Sequence, residues 1–238
     1  MKDELYQKAK GGEGTFRFDG SVVEVFDDMI RRSVPGYGLT LEMIGVVAQK
    51  AFGAAGGTAY DLGCSLGASM FPILGHTDAH VIGVDLSADM LAQAEQTLAQ
   101  NFPKRYQLHQ GDLAEFEFSD SARLVVSNFT LQFLPIEQRY ALLQRMYDAL
   151  EPGGVFLMSE KFTTDDSSSN ELLRDLHHTF KAAQGYSELE IARKRDAIEN
   201  VLVPETANTH LERLSSLGFE NPVCWYQCFN FASFLAIK

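Results

Sequence analysis

The stretch Gly57–Gly67, GTAYDLGCSLG, decides how the rest of the chain is read. Its first half reads as a strand that ends in glycine, and its second half opens a helix. Gly63 and Gly67 allow the backbone a tight passage between the two. Asp61 is placed either to orient the loop or to meet an amine on a ligand. The spacing departs from the dinucleotide fingerprint, in which three glycines at set positions cradle a pyrophosphate. Standing alone, the turn also suits an ordinary strand-to-helix connection.

Outward from that turn, strands and helices alternate. A helix from about Gly67 to Leu74 leads to AHVIGVD (79–85, strand), SADMLAQAEQTLAQN (87–101, helix) and RYQLHQGD (105–112, strand). ARLVVSNFTLQF (122–133) follows as strand and turn, PIEQRYALLQRMYDALEPGG (135–154) as helix and stop, and VFLMSEKF (155–162) as strand. Upstream, SVVEVFDDMIRRSVPGYG (21–38) reads as one helix stopped by Pro35 and Gly36, and LTLEMIGVVAQKAFG (39–53) as a second. The alternation predicts an α/β fold with a mostly parallel sheet covered on both faces.

After Phe162 the pattern changes. TTDDSSSN is a polar loop or cap, followed by helices over about 171–183 and 188–202. ANTHLERLSSLG (207–218) is a further helix, and NPVCWYQCFN with FASFLAIK (221–238) reads as a hairpin completing the sheet. The expectation is one domain over 1–238 with a helical insertion at 163–203, where lids and subunit contacts commonly form.

Composition narrows the classes of function. A formal net charge of −12 argues against a general grip on RNA or DNA, so no direct nucleic-acid binding is expected. Basic residues gather in two places: Lys10, Arg17, Arg31 and Arg32, and then Arg174, His177, His178, Lys181, Arg193, Lys194 and Arg195. Patches of this size suit a small anionic substrate. No run approaches the roughly 18 to 20 apolar residues of a membrane span, and MKDELYQKAKGGEG lacks the apolar core of a signal peptide. Cys64, Cys224 and Cys228 make a poor disulfide framework, which points to a reducing cytoplasm. The scattered histidines show no ligand spacing, and no metal is expected.

The ends of successive strands carry the chemistry. Asp85 closes the second strand, where a carboxylate accepts bonds from ribose hydroxyls. Asp112, in GDL after the third, is placed to meet an adenine amino group, with Leu113 in apolar contact. Asn128 ends the fourth. Each alone reads as a solvated strand end; at one sheet edge together they read as a nucleoside site.

These stretches resemble the motifs of class I S-adenosylmethionine-dependent enzymes. The resemblance implies a Rossmann-like class I methyltransferase fold: a mostly parallel seven-stranded sheet with a C-terminal antiparallel hairpin. It assigns Gly63, Cys64 and Ser65 to the methionine side of S-adenosyl-L-methionine, Asp85 to ribose, and Asp112 with Leu113 to adenine. Cys64 then contributes backbone, not a nucleophile, and has no histidine partner at meaningful spacing. Leu86 stands where some relatives carry asparagine, leaving a backbone bond and apolar contact to the cofactor. Gly20-Ser21 likewise replaces a charged pair.

A closer resemblance covers almost the full length. It is carried by VVEVFDDMIRRSVPGY (22–37), YDLGCSLGAS (60–69), VVSNFTLQFLP (125–135), PGGVFLMSEKF (152–162), GYSELEIARKRDAIENVL (185–202) and CFNFASFLAIK (228–238). These stretches are similar to the carboxy-S-adenosyl-L-methionine synthase family. The implied reaction turns S-adenosyl-L-methionine and prephenate into carboxy-S-adenosyl-L-methionine and phenylpyruvate. A separate tRNA carboxymethyltransferase would use the product on wobble uridine. Consistent with this, SNFTLQFLP shows neither a proline-rich methyltransferase motif nor an obvious general base.

On a helix, Arg195 falls on the apolar face of Ile191, Ile198 and Leu202. By itself it snorkels, pairs with a carboxylate, or faces an anionic ligand or partner subunit. The resemblance makes it the catalytic clamp on the transferred carboxylate, reaching in from the other subunit of a homodimer. It also makes Tyr37 a cofactor contact and sets Asn128 beside the methionine part. Lys161, Arg31 and Arg32 are further candidates for substrate carboxylates, equally readable as structural, and His177-His178 reads first as a structural or surface pair. Two rivals stay open: a conventional methyltransferase acting on a small carboxylate, and a noncatalytic cofactor-binding partner of the RNA-modifying machinery.

Overall fold

The structure is a computed structural model that describes residues 20–119, 121–199 and 201–238, with backbone only for 20–21 and 194–199. Lys10 and Arg17 lie outside the described residues. The strands are β1 (Thr58–Leu62), β2 (His80–Asp85), β3 (Tyr106–Gln110), β4 (Ala122–Asn128), β5 (Leu150–Lys161), β6 (Glu220–Cys228) and β7 (Phe231–Ile237). They form a seven-stranded sheet in the order β3-β2-β1-β4-β5-β7-β6. Neighbours are parallel through β5, and β7 and β6 close the sheet antiparallel, as expected.

The central strands TAYDL, HVIGVD and ARLVVSN are buried almost throughout because helices cover both faces. One face packs on α3 (Tyr37–Phe52), α4 (Met70–His76) and α5 (Ala88–Asn101), through Ile44, Phe52, Ile73, Leu74 and Leu98. The other packs on α6 (Ile136–Ala149) and α9 (Ala207–Ser216), through Leu142, Met146 and Leu214 against Val125, Phe156 and Phe234. Each such apolar side chain, fully buried, contributes about 1.5–3 kcal/mol. Between β1 and β4 the direction of strand addition reverses, and ligand crevices open at the carboxyl ends of such a pair.

Several boundaries differ from the sequence reading. The single helix expected over 21–38 is two, α1 (Gly20–Val23) and α2 (Phe26–Ser33). The turn between them brings Val22 and Met29 together against Met90. Helix α2 stops before Val34, which is extended as a residue preceding proline tends to be. The residues EPGG, read as a stop, belong to β5. A register shift between Leu150 and Val155 absorbs them, and Gly153 N–H donates to the Lys238 carbonyl at 2.7 Å. The serine run is the first turn of α7 (Ser167–Ala183), because Asp166 caps it by accepting from Ser169 N–H at 2.7 Å. Helix α8 (Glu188–Glu199) is shorter than expected.

Candidate active site

The centre of the site is built where strands β1, β2 and β4 end. Leaving β1, the chain turns at Gly63, whose φ of 75° suits glycine, and a Cβ there would collide with Thr130. The amides of Gly63 and Cys64 both donate to the Val84 carbonyl, at 2.8 and 3.0 Å. Ser65 follows with φ 50°, and its N–H donates to Asp85 Oδ2 at 2.8 Å. The other oxygen of Asp85 accepts from Ser87 N–H at 2.9 Å. The end of β2 thus holds the loop that follows β1. Burial pushes the Asp85 carboxyl up, against the pull of these backbone bonds.

Asp61 lies beneath this loop, almost wholly buried, with Oδ2 lacking a hydrogen-bond partner. Burial first, then the neighbouring Asp85 charge, push its carboxyl up to about 8. Burial also raises the Cys64 thiol well above its ordinary value, which disfavours a nucleophilic thiolate. Asp112 turns back on its own chain, Oδ1 accepting from Ala114 N–H at 2.9 Å, beside buried Leu113. Leu86 is 70% exposed. On the β4 side, Asn128 donates from Nδ2 to Ser69 Oγ at 3.3 Å, while its Oδ1 is buried and unpartnered. Tyr37 begins α3, its ring 6.2 Å from that of Phe129, and burial raises its hydroxyl.

After β4 comes a short 3-10 turn, Leu131–Phe133, latched to the end of β5. The buried Glu160 carboxylate accepts from Leu131 N–H and Gln132 N–H, each at 2.9 Å, and burial pushes it up to about 8. Behind the turn lies fully buried Arg139, which donates to the carbonyls of Leu134, Gln132 and Val203 and to Glu205. Arg213 holds the other side of Glu205. The burial of these charges does not show in the sequence, where Arg139 reads as one polar residue of an amphipathic helix.

Tyr37, Gly63, Cys64, Ser65, Asp85, Leu86, Asp112, Leu113 and Asn128 all line one cavity of about 760 Å³. Arg195 is the exception: it lies on α8, but its side chain is outside the described residues. Lys161 lines the cavity, with Arg174, His177, His178 and Lys181 of α7. The two histidines, grouped in sequence with this basic patch but read first as structural or surface residues, both line the cavity, and His177 is also tied to the Ser33 carbonyl. Arg31 and Arg32 are not among the cavity's lining residues and are held by other groups. Arg31 pairs with Asp27 at 2.8 Å. Arg32 pairs with Asp28 at 3.1 Å, donates to the Gln184 carbonyl and lies 4.0 Å over the Tyr186 ring. Among the described residues, no group of three or more His, Cys, Asp or Glu could hold a metal, and no helix is long and apolar enough to cross a membrane.

The residues present fit S-adenosyl-L-methionine. Asp61 and Asn128 each keep a buried oxygen without a partner at the loop, and the turn at Gly63 brings the backbone close to the cavity. Residues 59–154 match the family model of a methyltransferase domain. The magnesium protoporphyrin IX methyltransferase of Synechocystis, solved with bound SAH, superposes with a TM-score of 0.63 at 16% identity, over 95% of this chain and 90% of that one. Fold and matched domain place the chain among proteins of the class I methyltransferase-like fold.

Within that class the relatives are close. A carboxy-S-adenosyl-L-methionine synthase of Hahella chejuensis is 48% identical, covering 100% of this chain and 98% of its own. One of Vibrio cholerae is 46% identical, with 100% and 97% covered. The chain belongs to the carboxy-S-adenosyl-L-methionine synthase family.

Proposed function

We propose that the chain converts S-adenosyl-L-methionine and prephenate to carboxy-S-adenosyl-L-methionine and phenylpyruvate. The observation that carries this reading is the full-length similarity to synthases of that product, joined to a cavity whose lining suits both reactants. Prephenate loses its ring carboxyl as carbon dioxide while the ring aromatises and expels hydroxide. The methyl carbon of S-adenosyl-L-methionine, giving up a proton made acidic by the sulfonium, forms its new bond to that carbon dioxide. Hydroxide and the methyl proton combine as water, so the reaction balances without a protein base. The burden on this chain is placement, exclusion of water and stabilisation of carboxylates.

In that role Asp85 accepts from the ribose hydroxyls, with Leu86 contributing backbone and apolar surface. Asp112 and Leu113 meet the adenine. The loop Gly63-Cys64-Ser65, Tyr37 and Asn128 hold the methionine portion. Arg195, the catalytic clamp, reaches the transferred carboxylate from the neighbouring subunit of a homodimer, and its fork suits bidentate pairing. The helices between 163 and 203 form an insertion that supplies this contact. The enzyme works in the cytoplasm, and a separate tRNA carboxymethyltransferase uses its product on wobble uridine. A net charge of −12 favours making a soluble precursor over gripping tRNA directly.

The test is to incubate purified protein with S-adenosyl-L-methionine, with and without prephenate, and read product mass. A carboxyl equivalent gained only with prephenate is the expected result. Demethylated cofactor, or binding without turnover, overturns it.

A further inference from the structure

The polar lining of the cavity is divided by charge. At one end stand Asp85, closing β2, and Asp112, just beyond β3. Asp27, the other acid of the lining, is already paired with Arg31. At the other end stand Lys161, which closes β5, and Arg174, His178 and Lys181 of α7. From β2 to β5 the sheet takes three strand steps, roughly 14 Å. The nucleoside of S-adenosyl-L-methionine and a dianion therefore find opposite ends of one cavity, with the sulfonium between them.

The basic wall is built into the fold. At about 100° per residue, positions 174, 177, 178 and 181 share one face of α7. His177 fixes that face: Nε2 donates to the Ser33 carbonyl at 2.7 Å, and its ring stands edge-on to Phe231 at 4.8 Å. Burial, with Lys181, Lys161 and His178 nearby, pushes His177 down to about 3, so it acts as a neutral tether between α7 and α2. Lys181 is only 5% exposed, its Nζ 5.9 Å from the Tyr186 ring centroid. Arg174 is more open, with Asp175 Oδ1 at 3.7 Å. Lys161, His178, Lys181 and Arg174 thus bring basic groups from β5 and from one face of α7 to the same end of the cavity.

We propose that Lys161, Arg174 and Lys181, with His178, form the subsite for the carboxylate that prephenate retains when it becomes phenylpyruvate. The inference rests on the reaction proposed above. The transferred carboxyl must reach the sulfonium methyl near the Gly63–Ser65 loop and Asn128, over β1 and β4. The retained side-chain carboxylate then points onward, toward β5 and α7. Arg195 and the α7 wall thus divide the two carboxylates of one substrate between them.

The test uses the full-length protein and its Arg174→Gln, Lys181→Met and Lys181→Arg variants. The readouts are the apparent KM for prephenate, product inhibition by phenylpyruvate, which carries only the retained carboxylate, and S-adenosyl-L-methionine affinity by calorimetry. Arg174 is surface-exposed enough that its replacement leaves the fold intact. Arg174→Gln and Lys181→Met are expected to raise the prephenate KM and the phenylpyruvate inhibition constant together, by about tenfold. S-adenosyl-L-methionine affinity should stay within about twofold, and Lys181→Arg should recover much of the loss. A raised prephenate KM with unchanged phenylpyruvate inhibition overturns the assignment. Unchanged values for both, with turnover intact, overturn the subsite and leave the reaction standing. A wild type that makes no prephenate-dependent product overturns the reaction and the subsite with it.

Discussion

Arg139 Nη1 donates to Glu205 Oε2 across 2.5 Å, tying the interior of α6 to the segment that follows α8. The same guanidinium donates to the Val203 carbonyl at 2.7 Å, and Leu202 and Pro204 on either side line the cavity. Arg139→Met leaves buried carbonyls without donors and should cost about 3 kcal/mol, read from the urea midpoint. A loss below about 1 kcal/mol would show the anchor to be dispensable. Burial pulls Glu205 upward, but bonds from Arg213 and Arg139 outweigh it and hold its carboxyl below the ordinary value. The associated stability is present above about pH 4.3 and drains away as pH falls through the folded value.

Gly63→Ala sets a side chain at φ 75° against Thr130. The expected penalty is about 1–3 kcal/mol in stability, together with weakened binding of S-adenosyl-L-methionine. Thr130→Gly in the same chain removes the collision but not the strained φ, so only part of the loss should return. Thermal denaturation and calorimetry of both variants check this, and full binding by Gly63→Ala alone refutes it.

Asp61, pushed up to about 8, holds its proton at neutral pH in the empty protein. A sulfonium and an ammonium nearby favour the carboxylate, so binding of S-adenosyl-L-methionine should release a proton. Affinity then rises with pH below about 8, by at most tenfold per unit. Titration calorimetry in buffers of different ionisation enthalpy measures the released proton, and Asp61→Asn should abolish it. In the empty protein the sign for stability is opposite. The folded value lies above the unfolded one of about 3.9, so this group's contribution falls as pH rises from about 4 towards 8.

Arg195→Ala should keep the fold while losing most carboxylated product. Asp85→Ala should fail for another reason, weak S-adenosyl-L-methionine binding. If the arginine acts across a dimer, mixing the two inactive variants under subunit exchange restores one intact site and recovers activity. Mixtures as inactive as their parents would reject donation between subunits.

The parallel sheet was legible because its strands are buried on both faces, which leaves apolar runs such as HVIGVD followed by glycine or acid at the turn. Asp85, Asp112 and Asn128 could be read for the same reason: a polar residue closing an apolar run stands at the sheet edge. What stayed hidden depends on contacts far apart in sequence. EPGG reads as a stop until Gly153 meets Lys238, and Arg139 reads as a surface residue until Val203 and Glu205 fold over it. That His178 also lines the cavity shows only once α7 lies beside the end of β5.

Both ends of the stretch bearing Arg195 are fastened to its own cavity. Before α8, Tyr186 N–H donates to the carbonyl of Lys181; beyond it, Val203 N–H donates to that of Gln132, and both acceptor residues line the cavity. In the proposed dimer, the helix that completes one cavity is braced at both ends by residues lining the other, so the arginine lent out and the residues kept at home share one scaffold.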